Sequence, residues 1–117
     1  MTLAALLTCA ASGAQEIWYY VIDVAQPARQ VNFCVSEADV RGLVSIFERF
    51  GPRTGYSALA ESTTCYIAVI EFTPRRIVEE IVIAEGKPEE YRMRFVEGQN
   101  ENGETLYLVT TREVRDR

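Results

Sequence analysis

The chain contains no histidine, and its single lysine is Lys87. Without histidine there is no Ser–His or Cys–His nucleophile pair and no His-rich zinc site. Lys87 stands in a turn beside Pro88, a solvated position unsuited to Schiff-base chemistry. The 7 glycines are scattered and form no phosphate-cradling loop. Bases are outnumbered 12 to 17, giving a net charge of −5, which argues against nucleic acid as a partner because phosphate binding needs a basic face. There are 3 cysteines and no Cys-x-x-Cys, which excludes a thioredoxin-type redox motif. No apolar run reaches the roughly 20 residues that span a bilayer. No internal repeat or low-complexity tract is present. These absences leave no expected cofactor, metal ligand set or catalytic residue.

The 117 residues fit one domain, and 48% hydrophobic with 25% charged residues is a globular composition. The amino terminus differs from the rest. Thr2 to Ala11 is uncharged and apolar, with the length of a signal-peptide core. Small residues at Ser12 and Ala14 then suit signal peptidase, so residues 1–14 read as an export segment and 15–117 as the domain. No basic residue precedes the apolar run, so either the true start lies upstream or the segment is truncated. A second export reading takes Leu6-Leu7-Thr8-Cys9 as a lipoprotein box with Cys9 lipidated, although threonine before the cysteine is atypical. The third reading is a buried N-terminal element of a cytosolic protein. With Cys9 removed or lipidated, Cys34 and Cys65 remain as an even pair. In an exported domain such a pair is most simply a disulfide. Export, periplasmic or secreted and with Cys9 as the one possible membrane anchor, is therefore the expected localisation.

Glu16–Ala25 is rich in aromatic and β-branched residues and reads as a strand, apolar on both faces and so central, ended by Pro27. Gln30–Val35 reads as a short second strand. Ser36 opens a helix, with Asp39 three residues on in a variant of the capping box. Val40, Leu43, Val44, Phe47 and Phe50 form its apolar stripe, and Gly51-Pro52 stops it. Residues 52–62 read as a loop with a possible short strand at Tyr56–Leu59. Thr63–Phe72 is the next strand. Arg76–Ala84 also reads as a strand: Thr73-Pro74 resembles a helix start, but five β-branched residues follow. Glu85–Pro88 is a turn, Glu90–Glu97 a strand, Gly98–Gly103 a turn, and Glu104–Thr111 the last strand, with 112–117 frayed. The expected fold is α+β, in the order β-β-α-β-β-β-β: an antiparallel meander on one amphipathic helix, with Cys34–Cys65 pinning helix to sheet.

Paired carboxylates are the remaining candidates for chemistry. A turn at Glu85–Pro88 sets Glu79 opposite Arg94, with Arg92 on the same face. That is a general acid and base poised by arginine, or, far more commonly, a cross-strand salt-bridge ladder. Glu80 then falls on the face of Val78, Val82, Tyr91 and Phe95, as an edge residue or a buried acid. Asn100-Glu101-Asn102-Gly103 has part of a calcium-loop pattern but lacks its first and last acidic ligands, so it reads as a hairpin turn. The Trp18-Tyr19-Tyr20 cluster is either core or a recognition surface. If one face of the first strand lacks cover, it offers an apolar patch. Trp18, Tyr20, Arg92 and Arg94 are accordingly the binding candidates. The expected function is an exported, non-enzymatic envelope module that binds another protein through a sheet face or edge strand, accessory or inhibitor-like. The alternatives are a small envelope hydrolase using Glu and Asp carboxylates, or a carrier with an apolar cavity between helix and sheet.

Overall fold

The computed structural model describes the backbone of residues 14–18 and 20–116 and the side chains of 20–110. Apart from the backbone of Ala14, the export-segment reading of residues 1–14, Cys9 included, lies outside the described residues. So does the side chain of Trp18. The elements are β1 (Ala14–Trp18), β2 (Gln26–Cys34), α1 (Glu37–Phe50), α2 (Pro52–Glu61), β3 (Cys65–Ile83), β4 (Tyr91–Asn100) and β5 (Thr105–Asp116). The fold is α+β, an antiparallel sheet packed on an amphipathic helix. β2 pairs with β3, β3 with β4 and β4 with β5. β5 then pairs back to β2 through Asn32–Cys34, so the four strands close on themselves. β1 adds only to the far end of β5, where it makes a strand of residues 112–116 that were expected to fray.

β1 is therefore a terminal strand rather than the central one its composition suggests. The chain bends at Tyr20 and turns through Asp23, which adopts a left-handed conformation (φ 65°) and donates its N–H to the Pro74 carbonyl at 2.7 Å. Aspartate tolerates this conformation better than most residues. Val21 and Val24 are left half-exposed on this turn. Pro27 does not end a strand but lies inside β2, where the register with β3 slips between Gln26 and Arg29. A bulge is one of the few places in a sheet that tolerates proline.

α1 forms where its signals place it. The Ser36 hydroxyl accepts from the Asp39 N–H at 3.2 Å, Glu37 and Asp39 face the positive helix start, and Gly51 (φ 90°) caps the end. Val40, Leu43, Val44 and Phe47 are buried. Phe50 is not; it lies 62% exposed with the Arg49 guanidinium 5.5 Å from its ring.

The segment 52–62 is not a loop with a strand. It is α2, started by Pro52 in its first turn. Gly55 and Tyr56 in it are contact residues. A Cβ at Gly55 would lie 2.5 Å from the Phe47 ring, and the Tyr56 ring meets Phe47 edge-on at 5.0 Å. In an exposed helix Gly→Ala stabilises by about 0.8–1.0 kcal/mol. Here the methyl must displace a fully buried ring, an overpacking cost of about 1–3 kcal/mol. Gly55→Ala is therefore expected to lower the urea midpoint of unfolding. A raised midpoint would show that the two helices are not in this contact.

β3 is one continuous strand where two were expected. Pro74, which with Thr73 resembles a helix start, falls inside it although it has no N–H. The strand absorbs it with irregularities between Pro74 and Arg76 and between Ile77 and Glu79. Pro74 pairs with Gly98, whose missing side chain admits it: a Cβ there would sit 3.0 Å from the Thr73 carbonyl oxygen. The core has two parts. The larger lies between the helices and the sheet, around Phe47, Leu59, Met93, Phe95 and the two cysteines. The smaller is built on Tyr20, Val31, Phe72, Leu106 and Leu108.

Candidate functional site

The backbone of β3 changes partner part-way along. Its first half pairs with β2, ending at Cys34 opposite Cys65. Its second half pairs with β4 on the opposite side, starting where Phe72 meets Asn100. Beyond Asn100 the β4–β5 turn carries the chain away. That turn is a plain hairpin connection, in which the Asn100 Oδ1 accepts from the N–H groups of Asn102 and Glu104 and Gly103 supplies φ 80°. Between Cys65 and Glu71, the edge of β3 away from β2 has no strand partner among the described residues.

The register decides which groups this edge presents. Val35 donates its N–H to the Thr64 carbonyl, which makes 35/64 a hydrogen-bonded pair. Alternation then makes Cys34/Cys65 a non-hydrogen-bonded pair, in accord with its close Cα separation of 4.0 Å. Tyr66, Ala68 and Ile70 thus spend their N–H and C=O groups on β2. Ile67 and Val69 direct theirs to the open edge. Their side chains are 57% and 66% exposed, and Tyr66 is 48% exposed. Grooves adjoin both ends. One of about 310 Å³ lies between Leu59 and Ala60 of α2 and Cys65, Tyr66 and Ile67. The other, about 230 Å³, runs from Ala28 of β2 over Val69, Ile70 and Glu71 to the hairpin tip Asn100–Asn102. From Cys65 to Ile70 the strand carries no lysine, proline or other charge, the usual protections of a strand edge.

No protein family, curated protein or solved structure matches this chain.

The residues singled out in the sequence are not brought together at this edge. Tyr20 is 6% exposed and meets Phe72 edge-on at 5.0 Å, so it belongs to the smaller core. Arg92 and Arg94 converge on Glu80, with Arg92 Nη1 at 3.1 Å and Arg94 Nε at 2.9 Å. The expected Glu79–Arg94 pairing is off by one residue. The connection is a loop over 84–90 with Ala84 at φ 56°, so Ile83 meets Tyr91 and Glu80 meets Arg94. A one-residue slip turns every side chain to the other face. Glu80 is thereby neither a buried acid nor on the face of Tyr91 and Phe95. Glu79 faces Arg41 of α1 at 3.7 Å instead.

The hydrogen bonds from Arg94 and then Arg92 hold the Glu80 carboxyl below its ordinary value, outweighing its partial desolvation. An acid depressed in this way has no proton to give at neutral pH, and both guanidiniums already occupy its oxygens. That is a ladder, not an acid–base pair. Its pH signature has a definite sign. Because the folded-state value lies below the unfolded one, the contribution is present above the unfolded value and is lost as pH falls through the folded one. Between about pH 6 and pH 3, Glu80→Gln is expected to show a shallower loss of stability than the parent, read as urea midpoint against pH. Parallel curves would remove Glu80 from the acid response. Glu37 is lowered likewise by hydrogen bonds from Arg41 and Arg76, and through Arg76 it ties α1 to Glu97 of β4.

Cys34 and Cys65 form a disulfide. It does not pin helix to sheet directly; it joins the last residue of β2 to the first of β3, at the base of the helical excursion. Both sulfurs belong to the larger core. A disulfide fits an oxidising compartment. Among the described residues no helix is long and apolar enough to cross a membrane.

Proposed function

We propose that this chain is an exported, non-enzymatic envelope module that binds another protein by taking an extended segment of it as an added strand along the open edge of β3. The observation that carries this is the unpaired edge at Ile67 and Val69, exposed in side chain and with N–H and C=O groups directed outward. Strand addition supplies affinity through main-chain hydrogen bonds, each contributing about 0.5–1.5 kcal/mol net, and specificity through alternate side chains. The disulfide and the apolar run Thr2–Ala11 support export, periplasmic or secreted, with Cys9 as the candidate lipid anchor. An accessory or inhibitory role fits a surface that accepts a segment without transforming it. The enzyme reading has less support, since Glu80 is saturated by two arginines. So has the carrier reading, since fully buried Phe47, Met93 and Phe95 fill the space between helices and sheet.

Val69→Pro tests the reading with little cost to the fold. Val69 gives no hydrogen bond to β2, so proline there removes only an outward N–H. Affinity capture from an envelope extract of the source cells should retain a protein on the parent chain and lose it on the Val69→Pro chain, with both chains unfolding cooperatively at similar temperatures. Identical retention by the two, or none by the parent, would sink the proposal.

A further inference from the structure

The open edge has a polarity, and it comes from charge. Side chains along a strand alternate, so Ile67, Val69 and Glu71 share one face. Glu71 is exposed, and the hairpin tip sets exposed Glu101 in the same groove of about 230 Å³. A second, smaller groove of about 100 Å³ beside it is again lined by both Glu71 and Glu101. Among the described residues, Glu37, Glu79, Glu80 and Glu97 are each paired with arginine, whereas neither Glu71 nor Glu101 has an ion pair. The edge therefore runs from an apolar end beside Leu59 and Ala60 to an acidic end at the hairpin tip.

From this we infer that the segment taken up by β3 carries apolar side chains at alternate positions over Ile67 and Val69, followed two residues on by a lysine or arginine set between Glu71 and Glu101. The inference rests on the strand-addition reading and adds the chemistry of the partner. A second copy of this chain is a poorer occupant. A two-fold pairing centred on Ala68 would match Ile67 to Val69, but it would place Glu71 against Cys65 of the other copy. Both carboxylates would stay unpaired, and two chains of net charge −5 would be brought together. Opposite charges across neighbouring strands give modest but directional selectivity, and like charges reverse it.

The experiment uses defined peptides and the disulfide-bonded chain. One short, end-blocked peptide alternates valine and threonine and ends in lysine; its counterpart carries glutamate in place of lysine. Each is also made with the charged residue at the opposite end, because the added strand can run either way. Backbone amide shifts of the isotope-labelled protein are followed during titration into the millimolar range. Shifts at Ile67 and Val69 are expected, with the better lysine peptide binding about three- to tenfold tighter than its glutamate counterpart at ~20 mM salt. That preference should disappear at about 0.5 M salt and in the double variant Glu71→Gln, Glu101→Gln. Equal binding of lysine and glutamate peptides at this edge would overturn the inference and leave strand addition standing. No shift at Ile67 or Val69 with any peptide would overturn both. Concentration-dependent dimerisation abolished by Val69→Pro would make a second copy the occupant and overturn the inference as well.

Discussion

Replacing Phe47 by alanine is expected to destabilise the protein by about 3–5 kcal/mol. Phe47 is wholly buried where α1, α2 and the sheet converge. Tyr56 of α2 meets its ring edge-on at 5.0 Å, Phe95 of β4 lies 5.8 Å away, and Gly55 lies against its ring. Truncation loses the transfer energy of a large side chain and leaves a cavity. The site can collapse only a little, because β4 is held between two strands and α2 is short. The effect should appear as a fall in unfolding temperature of roughly 10–25 °C for a chain of this size. The near-ultraviolet signal of Tyr56 should weaken in parallel. Phe47→Leu, which keeps most of the volume, should cost less than half as much. A loss below about 1 kcal/mol for Phe47→Ala would mean that α2 is not docked on this ring.

Loss of the Cys34–Cys65 bond is the second large effect. The bridge spans a sequence separation of 31 residues, and the loop it closes contains both helices. Restricting a loop of that length in the unfolded chain stabilises the fold by about 3–4 kcal/mol in the chain-entropy model. The double variant Cys34→Ala, Cys65→Ala should therefore unfold roughly 10–20 °C below the parent. Both alanines fit the core without leaving an unpaired polar group, so the difference reports the cross-link with little added packing cost. Mild reduction of the parent should give the same lowered temperature. Before reductant, alkylation should leave Cys34 and Cys65 unmodified; after reduction and unfolding it should modify both. Unchanged unfolding on reduction would show that the bridge does not constrain the chain, and free thiols in the native protein would remove the case for an oxidising compartment.

Much of the fold was legible locally. α1 has its cap, its charges and its stop within its own residues, from Ser36 to Gly51. The Asn100–Gly103 turn likewise carries its own chemistry, since Asn100 satisfies its neighbours and glycine supplies the positive φ. The pairing of Cys34 with Cys65 followed from counting once Cys9 was set aside. α2 was not legible, because Gly55 and Tyr56, both weak helix formers, serve the contact with Phe47 rather than the helix. The continuity of β3 was hidden by Pro74, which a bulge and a facing glycine accommodate only in the assembled sheet.

The candidate site shows the same division. The apolar run Cys65–Ile70 lies inside the strand expected at Thr63–Phe72, and nothing in it says that one edge stays open. Composition points instead to the first strand as the one with an uncovered face, but Tyr20 is core. Nor could the sequence place Glu80 between Arg92 and Arg94, since that depends on how the loop 84–90 closes and so on a single residue of register.

By itself the sequence determined the helix α1, the disulfide, the antiparallel α+β class and the absence of histidine chemistry, because each depends on residue type or on spacing within a few turns of chain. The tertiary structure alone decided that β3 is bare along Cys65–Glu71 and which carboxylates stand beside that edge. Those outcomes depend on where β4 leaves β3, a pairing between residues far apart in the chain, and no local pattern encodes it.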